Sequence, residues 1–501
     1  MKTVFVLLDS LNRNAMESYG ETSVISPNFK RFAERAITFD NHYVGSLPCI
    51  PARRDLHTGR LNFLHRSWGP LEPFDDSFPE LLKLNGTYSH IITDHHHYFA
   101  DGGATYHPRY SSWELVRGQA IDRWKAHVNA DIDHLTLDYH PMQHNRVNYM
   151  INRQYMVEEH EYSGPQTFAL GQEFLKKNHT EDNWFLQLEC FDPHEPFHAP
   201  PRFREMYPTD YNGPILDWPL YKRVNESTEE IAEIRANYAA LTTMCDEYFG
   251  KILDFFDENN MWHDTCLILT TDHGFLLGEH DWWSKNRMPV FDEISRIPLM
   301  VYHPEFADQS GTRRKSLTQS IDIMPTIMEL HDQIIPEDVS GKSLLPLLAK
   351  DSPVRSTAMF GYFGAACNIT DGTHVYHRYP ENLSADGLYE YTLMPTRMTS
   401  RFPISDLVGA TLTDPFKFTK GAPLMKLKPR TNEKGNPVEC QGMSFDNTKT
   451  QLYNLDTDPK QENPITDPEI EAKLVADMIH HMKDADAPAE MYARFNLELD
   501  N

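Results

Sequence analysis

The stretch TVFVLL, residues 3–8, is a continuous β-branched and apolar run that ends directly before Asp9. Such a run is typical of a strand that is buried on both faces of a parallel sheet. Similar runs at Phe185–Glu189 and Cys266–Thr270 alternate with helical patterns, of which Ser227–Asp257 is the longest. Because its strands alternate with helices, the chain is predicted to have an α/β fold with a large, mostly parallel sheet flanked by helices.

The pattern changes towards the C-terminus, where shorter strand-like pieces such as Thr373–Arg378 precede a terminal helix at about Pro468–Asp484. A chain of 501 residues is long for a single core. We therefore expect a catalytic α/β domain over residues 1–357 and a smaller C-terminal α+β subdomain over residues 358–501.

The composition excludes several classes of partner. There are 73 acidic and 47 basic residues, which give a formal net charge of −26. This excess disfavours nucleic acids and anionic membrane surfaces, and no apolar run is long enough to span a membrane. The N-terminus lacks the apolar core of a signal peptide, which predicts a cytoplasmic protein. The six cysteines form no CxxC pair, so we expect buried thiols and no disulfide framework.

Polar residues follow several of the predicted strands. Asp9 follows the first strand, His194 lies in a loop after the strand at 185–189, and Asp272 and His273 follow the strand at 266–270. Ligands of open α/β sheets bind beyond the carboxyl ends of the strands. We therefore expect these side chains to converge on one edge of the sheet.

The segment CIPARRDLHTGR, Cys49 to Arg60, carries the most specific pattern of the chain. A cysteine is followed by proline at +2, a small residue at +3 and arginine at +4, and Pro51 predicts a helix that begins just after Cys49. This segment resembles the signature of the formylglycine-dependent (type I) sulfatases of the alkaline-phosphatase superfamily. The resemblance covers most of the chain, from Asp9 to the stretch LYNLDTDPKQEN at residues 452–463.

The resemblance implies that a formylglycine-generating maturase oxidises Cys49 to an aldehyde, which hydrates to a geminal diol. One hydroxyl would attack the sulfur of a sulfate ester and release the alcohol, and the other would then release sulfate. Two easier steps replace one difficult displacement. Arg53, about one helical turn after Cys49, is expected to reach back to the nucleophile as a planar, multi-donor cation.

The resemblance also implies a site for one divalent metal ion, formed by Asp9, the modified Cys49, Asp272 and His273. Many sulfatases carry a second acidic residue directly after the first aspartate, whereas this chain has Ser10. Ca²⁺ is the default ion of the family, while an imidazole ligand and fewer carboxylates favour Mn²⁺ or another transition ion. The sequence leaves both open.

Three further residues match positions that contact the substrate in sulfatases. Lys285, in LLGEHDWWSKN, is expected to stabilise the sulfuryl group, and His194, in DPHEPF, to protonate the leaving oxygen. In the run Asp94 to His97, the resemblance assigns the base for sulfate release to His96, with Asp94 in place of a lysine. His95 or His97 are alternatives for this role, and the three histidines could equally bind substrate or form a polar loop.

The function that these motifs predict is hydrolysis of a sulfate ester, either a small sulfated carbohydrate or an aryl sulfate. The main alternative is a phosphonate monoester hydrolase or phosphodiesterase of the same superfamily, which Ser10 and His273 favour. A non-catalytic glycan-binding protein is a third hypothesis, against which the intact set of site residues argues. The aromatic and basic groups between Tyr98 and Tyr162 could contact a sugar or pack on the main domain. The oligomeric state is left open.

Overall fold

The structure is a computed structural model of the 501-residue chain, and it describes residues 1–20, 22–437 and 448–498. Five of the six cysteines lie in these ranges, and all five are buried free thiols. The expectation of buried thiols is therefore confirmed for these five, while Cys440 lies outside the described residues.

A sheet of eight strands forms the centre of the molecule. In chain order its strands are β1 (Lys2–Leu8), β2 (Ile37–Phe39), β3 (Tyr88–Thr93), β4 (Ser112–Leu115), β5 (Trp184–Cys190), β6 (Thr265–Thr270), β7 (Leu299–Tyr302) and β8 (Arg313–Arg314). Their order across the sheet is β8-β2-β7-β6-β1-β5-β3-β4. Neighbours are parallel except that β7 runs antiparallel to both β6 and β2. The prediction of a mostly parallel sheet is confirmed.

Helices cover both faces of this sheet. Successive side chains of β1 therefore pack into two different hydrophobic cores. Val4, Val6 and Leu8 pack with residues of one group of helices, and Phe5 and Leu7 pack with residues of another. The described helices of seven or more residues are Pro27–Ala33, Cys49–Thr58, Phe78–Leu84, Val147–Arg153, Ser163–Asn178, Thr228–Glu258, Ile323–Leu330 and Pro468–Asp484. Burial of both faces explains why β1 reads as an unbroken apolar run.

The longest helix, Thr228–Glu258, starts where the sequence predicts it. The Ser227 hydroxyl accepts a hydrogen bond from the backbone N–H of Glu230, and the Glu230 carboxylate accepts one from the backbone N–H of Ser227. This capping box satisfies two backbone donors that a helix start leaves unpaired. The sequence pattern did not reveal the helix Ser163–Asn178, which packs beside this one.

A second sheet connects the C-terminal part of the chain to the first one. Across the sheet its strands are Gln451–Asn454, His374–Arg378, Ala366–Thr370, Ala358–Tyr362 and Ser46–Leu47. Its edge strand Ser46–Leu47 leads directly into the helix that starts at Cys49. The predicted domain boundary at residue 357 stays a prediction. Among the described residues, no helix has the length and apolar character that a membrane span requires.

Candidate active site

Four predicted metal-site residues meet at the carboxyl edge of the main sheet. Asp9 follows β1, Asp272 and His273 follow β6, and Cys49 is the first residue of the helix Cys49–Thr58. All four side chains are buried, and their ligand-type atoms lie within 4.8 Å of one another. The sequence predicted a helix that begins just after Cys49, whereas the helix begins at Cys49 itself and Pro48 precedes it.

Arg53 holds the two aspartates of this cluster together. Its guanidinium donates to Asp9 at 2.8 Å, to Asp272 at 2.5 Å and to Glu189 at 2.7 Å, and also to the backbone carbonyl of Cys49 at 3.1 Å. The side chain is 1% exposed. Burial alone would lower the pKa of Arg53, but Glu189, Asp272 and Asp9 raise it well above its ordinary value. The residue is therefore a fixed cation inside a ring of carboxylates.

The electrostatics of the site set the protonation of its groups. Burial raises the pKa of Asp9, but Arg53 and, after it, His194, Lys285 and His273 together hold this pKa well below its ordinary value. Burial and then the Asp9 carboxylate raise the pKa of the Cys49 thiol well above its ordinary value. Asp9 is thus charged, while Cys49 is a neutral thiol.

His273 presents a lone pair to this cluster. Its Nδ1 lies 2.9 Å from the backbone carbonyl of Gly274, which can only accept a hydrogen bond. Nδ1 therefore carries the proton, and Nε2, which lies 3.1 Å from the Cys49 sulfur, is left as an acceptor. This is the tautomer in which a histidine can bind a metal ion.

The predicted substrate-side residues Lys285 and His194 lie next to this cluster and share one partner. The Lys285 amine is 3.4 Å from the Glu195 carboxylate and 3.3 Å from the Ser10 hydroxyl, which donates to Asp9 at 2.8 Å. The His194 Nδ1 is 3.4 Å from the same Glu195 carboxylate. The structure therefore links Lys285 and His194 through Glu195.

The sequence reasoning missed three residues of this site: Glu189, Glu195 and Tyr221. Tyr221 donates its hydroxyl to Glu195. The available signals were an acid at the end of the apolar strand β5 and a second acid inside the motif DPHEPF. Of the aromatic and basic groups between residues 98 and 162, His144 reaches this side, since its ring centroid lies 5.4 Å from that of Tyr221.

Among the described residues, His96 forms no hydrogen bond with the metal-site residues. Neither of its ring nitrogens has a hydrogen-bond partner among the described residues. Burial lowers its pKa to about 4, and the next influences come from Asp122, His194 and Arg117. His95 lies closer to the metal-site cluster, with Nε2 3.9 Å from the Asp9 carboxylate. The geometry therefore favours His95, one of the two alternatives, over His96.

Asp94, which stands where the resemblance implies a lysine, connects two loops of the site. Its carboxylate accepts from the backbone N–H of Phe191 at 2.6 Å and from the Gln119 side-chain amide at 3.1 Å. It thereby ties the histidine loop to the loop that follows β5. The assignment of Asp94 to the lysine position stays a prediction.

Comparison with known proteins shows the family of the chain. The family model described as Sulfatase matches residues 2–333. The chain belongs to the sulfatase family. It is a sulfuric ester hydrolase, and its matched region includes Asp9, Cys49, Asp272, His273 and Lys285.

Two curated relatives illustrate the range of the family. This sulfatase is 28% identical to the multifunctional alkaline phosphatase superfamily protein PehA of Trinickia caryophylli, over 66% of this chain and 72% of the relative. It is 23% identical to the choline-sulfatase of Rhizobium meliloti, over 69% of this chain and 71% of the relative.

Solved structures share the fold over nearly the whole chain. A protein in complex with its substrate D-glucosamine-2-N,6-O-disulfate aligns with a TM-score of 0.67 at 15% identity, over 98% of this chain and 99% of that one. The phosphonate monoester hydrolase of Agrobacterium radiobacter aligns with a TM-score of 0.64 at 17% identity, over 96% and 95%. At these identities the structures show the fold alone, and their coverage includes both sheets of this sulfatase.

Proposed function

We propose that this sulfatase hydrolyses a small sulfated carbohydrate or an aryl sulfate, with a formylglycine derived from Cys49 and one divalent metal ion. The observation that carries the proposal is the position of Cys49, buried at the start of its helix and 3.1 Å from His273 Nε2. Because the pKa of its thiol is raised, the unmodified side chain is a weak nucleophile. Conversion to an aldehyde hydrate would supply hydroxyl groups in the same place.

The residues around Cys49 fit a divalent cation. Asp9 and Asp272 supply carboxylate oxygens, and His273 supplies a nitrogen lone pair. When bound, the ion would lower the pKa of a hydroxyl nucleophile and offset the charge of the sulfate oxygens. Two hard oxygen ligands suit Ca²⁺, whereas the imidazole favours Mn²⁺. Elemental analysis of the metal-loaded protein would identify the ion.

We assign separate catalytic roles to the other side chains of the site. Arg53 is held by Glu189 and donates towards residue 49, where negative charge develops. Lys285, 2% exposed, supplies a positive charge for the sulfate oxygens. Burial lowers the pKa of His194, and the Glu195 carboxylate, 3.4 Å from Nδ1, opposes this shift and so favours the protonated form that a general acid requires. We assign to His95, rather than His96, the acceptance of a proton when sulfate is released, because its Nε2 lies 3.9 Å from the Asp9 carboxylate.

Phosphonate monoester or phosphodiester hydrolysis is the second candidate function. Ser10, which replaces an acid, binds Asp9 through its hydroxyl, and His273 completes the metal site. The similarity to the multifunctional alkaline phosphatase superfamily protein PehA supports the same candidate.

Turnover on a matured preparation separates the candidates. The protein is co-expressed with a formylglycine-generating maturase, and kcat/KM is measured for an aryl sulfate, an aryl phosphonate monoester and a panel of sulfated sugars. Cys49→Ala is the matched control, and the mass of the intact protein reports the exchange of the thiol for an aldehyde. The proposal predicts the highest kcat/KM on a sulfate ester and none with Cys49→Ala. Absence of turnover by a fully converted protein would favour the glycan-binding hypothesis.

A further inference from the structure

A second cavity lies at the same carboxyl edge of the main sheet as the active site. It has a volume of about 570 Å³ and is polar, and we call it the arginine pocket. Its charged lining residues are Arg13, Arg296, Arg313, Lys315, Asp40 and Asp456. Four cations thus face two carboxylates, in a chain whose formal net charge is −26.

The register of the sheet gives the distance between the two sites. A row of paired residues runs from Leu7 of β1 through Thr270 and Leu299 to Phe39 of β2. With neighbouring strands about 4.8 Å apart, these three steps span roughly 14 Å. Asp40 follows Phe39 and lines the pocket, so the arginine pocket lies beside the active site along one edge.

Two of the four cations are already paired. Arg313 donates to the Asp40 carboxylate at 2.9 Å and to the Ser18 backbone carbonyl at 2.8 Å. Arg296 lies 3.5 Å from the Asp292 carboxylate and donates to the Asn41 side-chain oxygen at 2.6 Å. These contacts leave little of their charge for a further ligand.

Arg13 and Lys315 supply the remaining two positive charges, against Asp456 as the remaining carboxylate of the lining. Among the described residues, neither side chain has a hydrogen bond or an ion pair, and the Arg13 Nε is buried without a partner. The Arg13 guanidinium lies over the Tyr19 ring at 4.8 Å, which fixes its plane. Burial and the nearby Arg296 lower the pKa of Arg13, so the pocket holds two guanidinium groups that repel each other.

An anion between these groups would remove the repulsion. The guanidinium offers several N–H donors in one plane, a geometry that matches the oxygens of sulfate, phosphate or carboxylate groups. Arg13 and Arg296 also line a cavity of about 140 Å³ whose lining includes the Asp292 and Glu293 carboxylates, so an anion is expected on the side of the arginine pocket.

We propose that the arginine pocket binds an oxyanion group, with Arg13 as its main ligand and Lys315 as a second charge. The oxyanion is either a free sulfate or phosphate ion or a second acidic group of a substrate that is bound at Cys49. Binding of an acidic group carried by the substrate rests on the proposed function, whereas binding of a free ion does not.

The free form is tested by calorimetric titration with inorganic sulfate and inorganic phosphate. A Lys285→Ala background weakens binding of these ions at the active site, so that the remaining signal reports on the pocket. We expect Arg13→Met to weaken this binding at least tenfold. Arg13→Lys should weaken it less, because a lysine keeps the charge but lacks the planar set of N–H donors. Arg31→Met is the matched control, since Arg31 is paired with Asp254 and Asp257 on another surface.

The substrate-borne form is tested by kinetics of the full-length, matured protein. Arg13→Met is expected to raise KM at least tenfold for a disulfated saccharide and to leave kcat unchanged, the sign of lost ground-state binding. KM for a monosulfated aryl ester should stay within twofold of wild type. Loss of binding in the titration with unchanged kinetics assigns the pocket to a free ion. Failure of every variant to hydrolyse any sulfate ester counts against the proposed function and leaves the titration as the test of the pocket.

The proposal is overturned if Arg13→Met changes neither the titration nor KM for the disulfated saccharide. It is also overturned if Arg31→Met weakens binding as much as Arg13→Met. Thermal unfolding of each variant confirms that the compared proteins are folded.

Discussion

Two buried carboxylate clusters lie at the same edge of the main sheet and have opposite electrostatics. The first consists of Asp9, Asp272 and Glu189 around the Arg53 guanidinium. The second consists of Asp94 and Asp192, which share the neutral side-chain amide of Gln119 as a donor, at 3.1 and 2.7 Å. Both clusters use the same residue types at similar burial.

Nearby cations explain the difference between Asp9 and the second cluster. Burial raises the pKa of Asp9, but Arg53 together with His194, Lys285 and His273 holds it well below its ordinary value. Glu189 is bonded to Arg53 as well, yet burial raises its pKa. Without such a partner, burial raises the pKa of Asp94 to about 7 and that of Asp192 well above its ordinary value. The ligand-type atoms of Asp94, Asp192 and Cys190 lie within 4.8 Å of one another, as do those of the four metal-site residues, Asp9, Cys49, Asp272 and His273. Proximity alone therefore does not make a metal site, because the ligands must also be deprotonated.

Removal of the cation should have the largest effect. Arg53→Met would leave three buried carboxylates unpaired, and loss of one partner of a buried ion pair costs about 3–5 kcal/mol of unfolding free energy. Chemical denaturation of wild type and variant measures the change. Arg31→Met removes exposed ion pairs and should cost less than about 1 kcal/mol. Equal losses in the two variants would contradict the view that Arg53 organises the site.

Metal content should distinguish the two clusters. Wild-type protein that is stripped with a chelator and reloaded with Ca²⁺ or Mn²⁺ is expected to bind one equivalent. Asp272→Asn should lower the affinity roughly tenfold or more, since outer-sphere changes alone cost about 10–100-fold. Asp192→Asn should bind the metal like wild type. Elemental analysis after dialysis is the measurement, and a loss of metal in Asp192→Asn equal to that in Asp272→Asn would contradict the comparison.

Glu189 is predicted to act as a positioning residue for Arg53. Glu189→Gln removes the charge that holds the Arg53 Nε and weakens the acceptor that Tyr98 and Gln187 share. We expect kcat to fall by about 10–100-fold, as for outer-sphere partners of catalytic groups, with KM little changed. Glu173→Gln is the control, because Glu173 forms an exposed pair with Lys177. A rise in KM with unchanged kcat would instead assign Glu189 to substrate binding.

The raised pKa of Asp192, in the second cluster, should make the free energy of unfolding depend on pH. The folded pKa of Asp192 lies above its unfolded value of about 4. As the pH rises past that value, the unfolded state ionises first, so wild-type stability falls towards the folded pKa. In Asp192→Asn, residue 192 cannot ionise. We therefore expect the free energy of unfolding of this variant, measured relative to wild type, to be about 1 kcal/mol higher at pH 8 than at pH 5. Denaturation at both pH values is the measurement, and a gain at pH 5 would contradict the assignment.

Much of the fold could be predicted from the sequence because burial leaves a local pattern. The apolar runs of β1 and β6 placed Asp9 and Asp272 at strand ends, and the structure brings them together. The helix Ser163–Asn178 could not be predicted, because Gly164 and Gly171 weaken its pattern. Both glycines are needed for packing, since a side chain at residue 164 would collide with Asp192 and one at residue 171 with Leu188.

Parts of the site depend on loop geometry that a linear pattern does not encode. A short 3₁₀ helix, His96–Phe99, starts directly after His95, so that His95 rather than His96 approaches Asp9. Glu189 and Glu195 act through partners that are distant in sequence. Arg60, part of the signature segment, instead pairs with Asp75 at 2.7 Å, so a motif position does not by itself imply a catalytic role.

The ratio of kcat/KM for an aryl sulfate to kcat/KM for an aryl phosphonate monoester, on one preparation with residue 49 converted to formylglycine, tests the central claim most directly. We predict a ratio well above one, with both activities lost in Cys49→Ala. A ratio well below one would contradict the proposed sulfate ester specificity and assign the site to phosphonate monoesters.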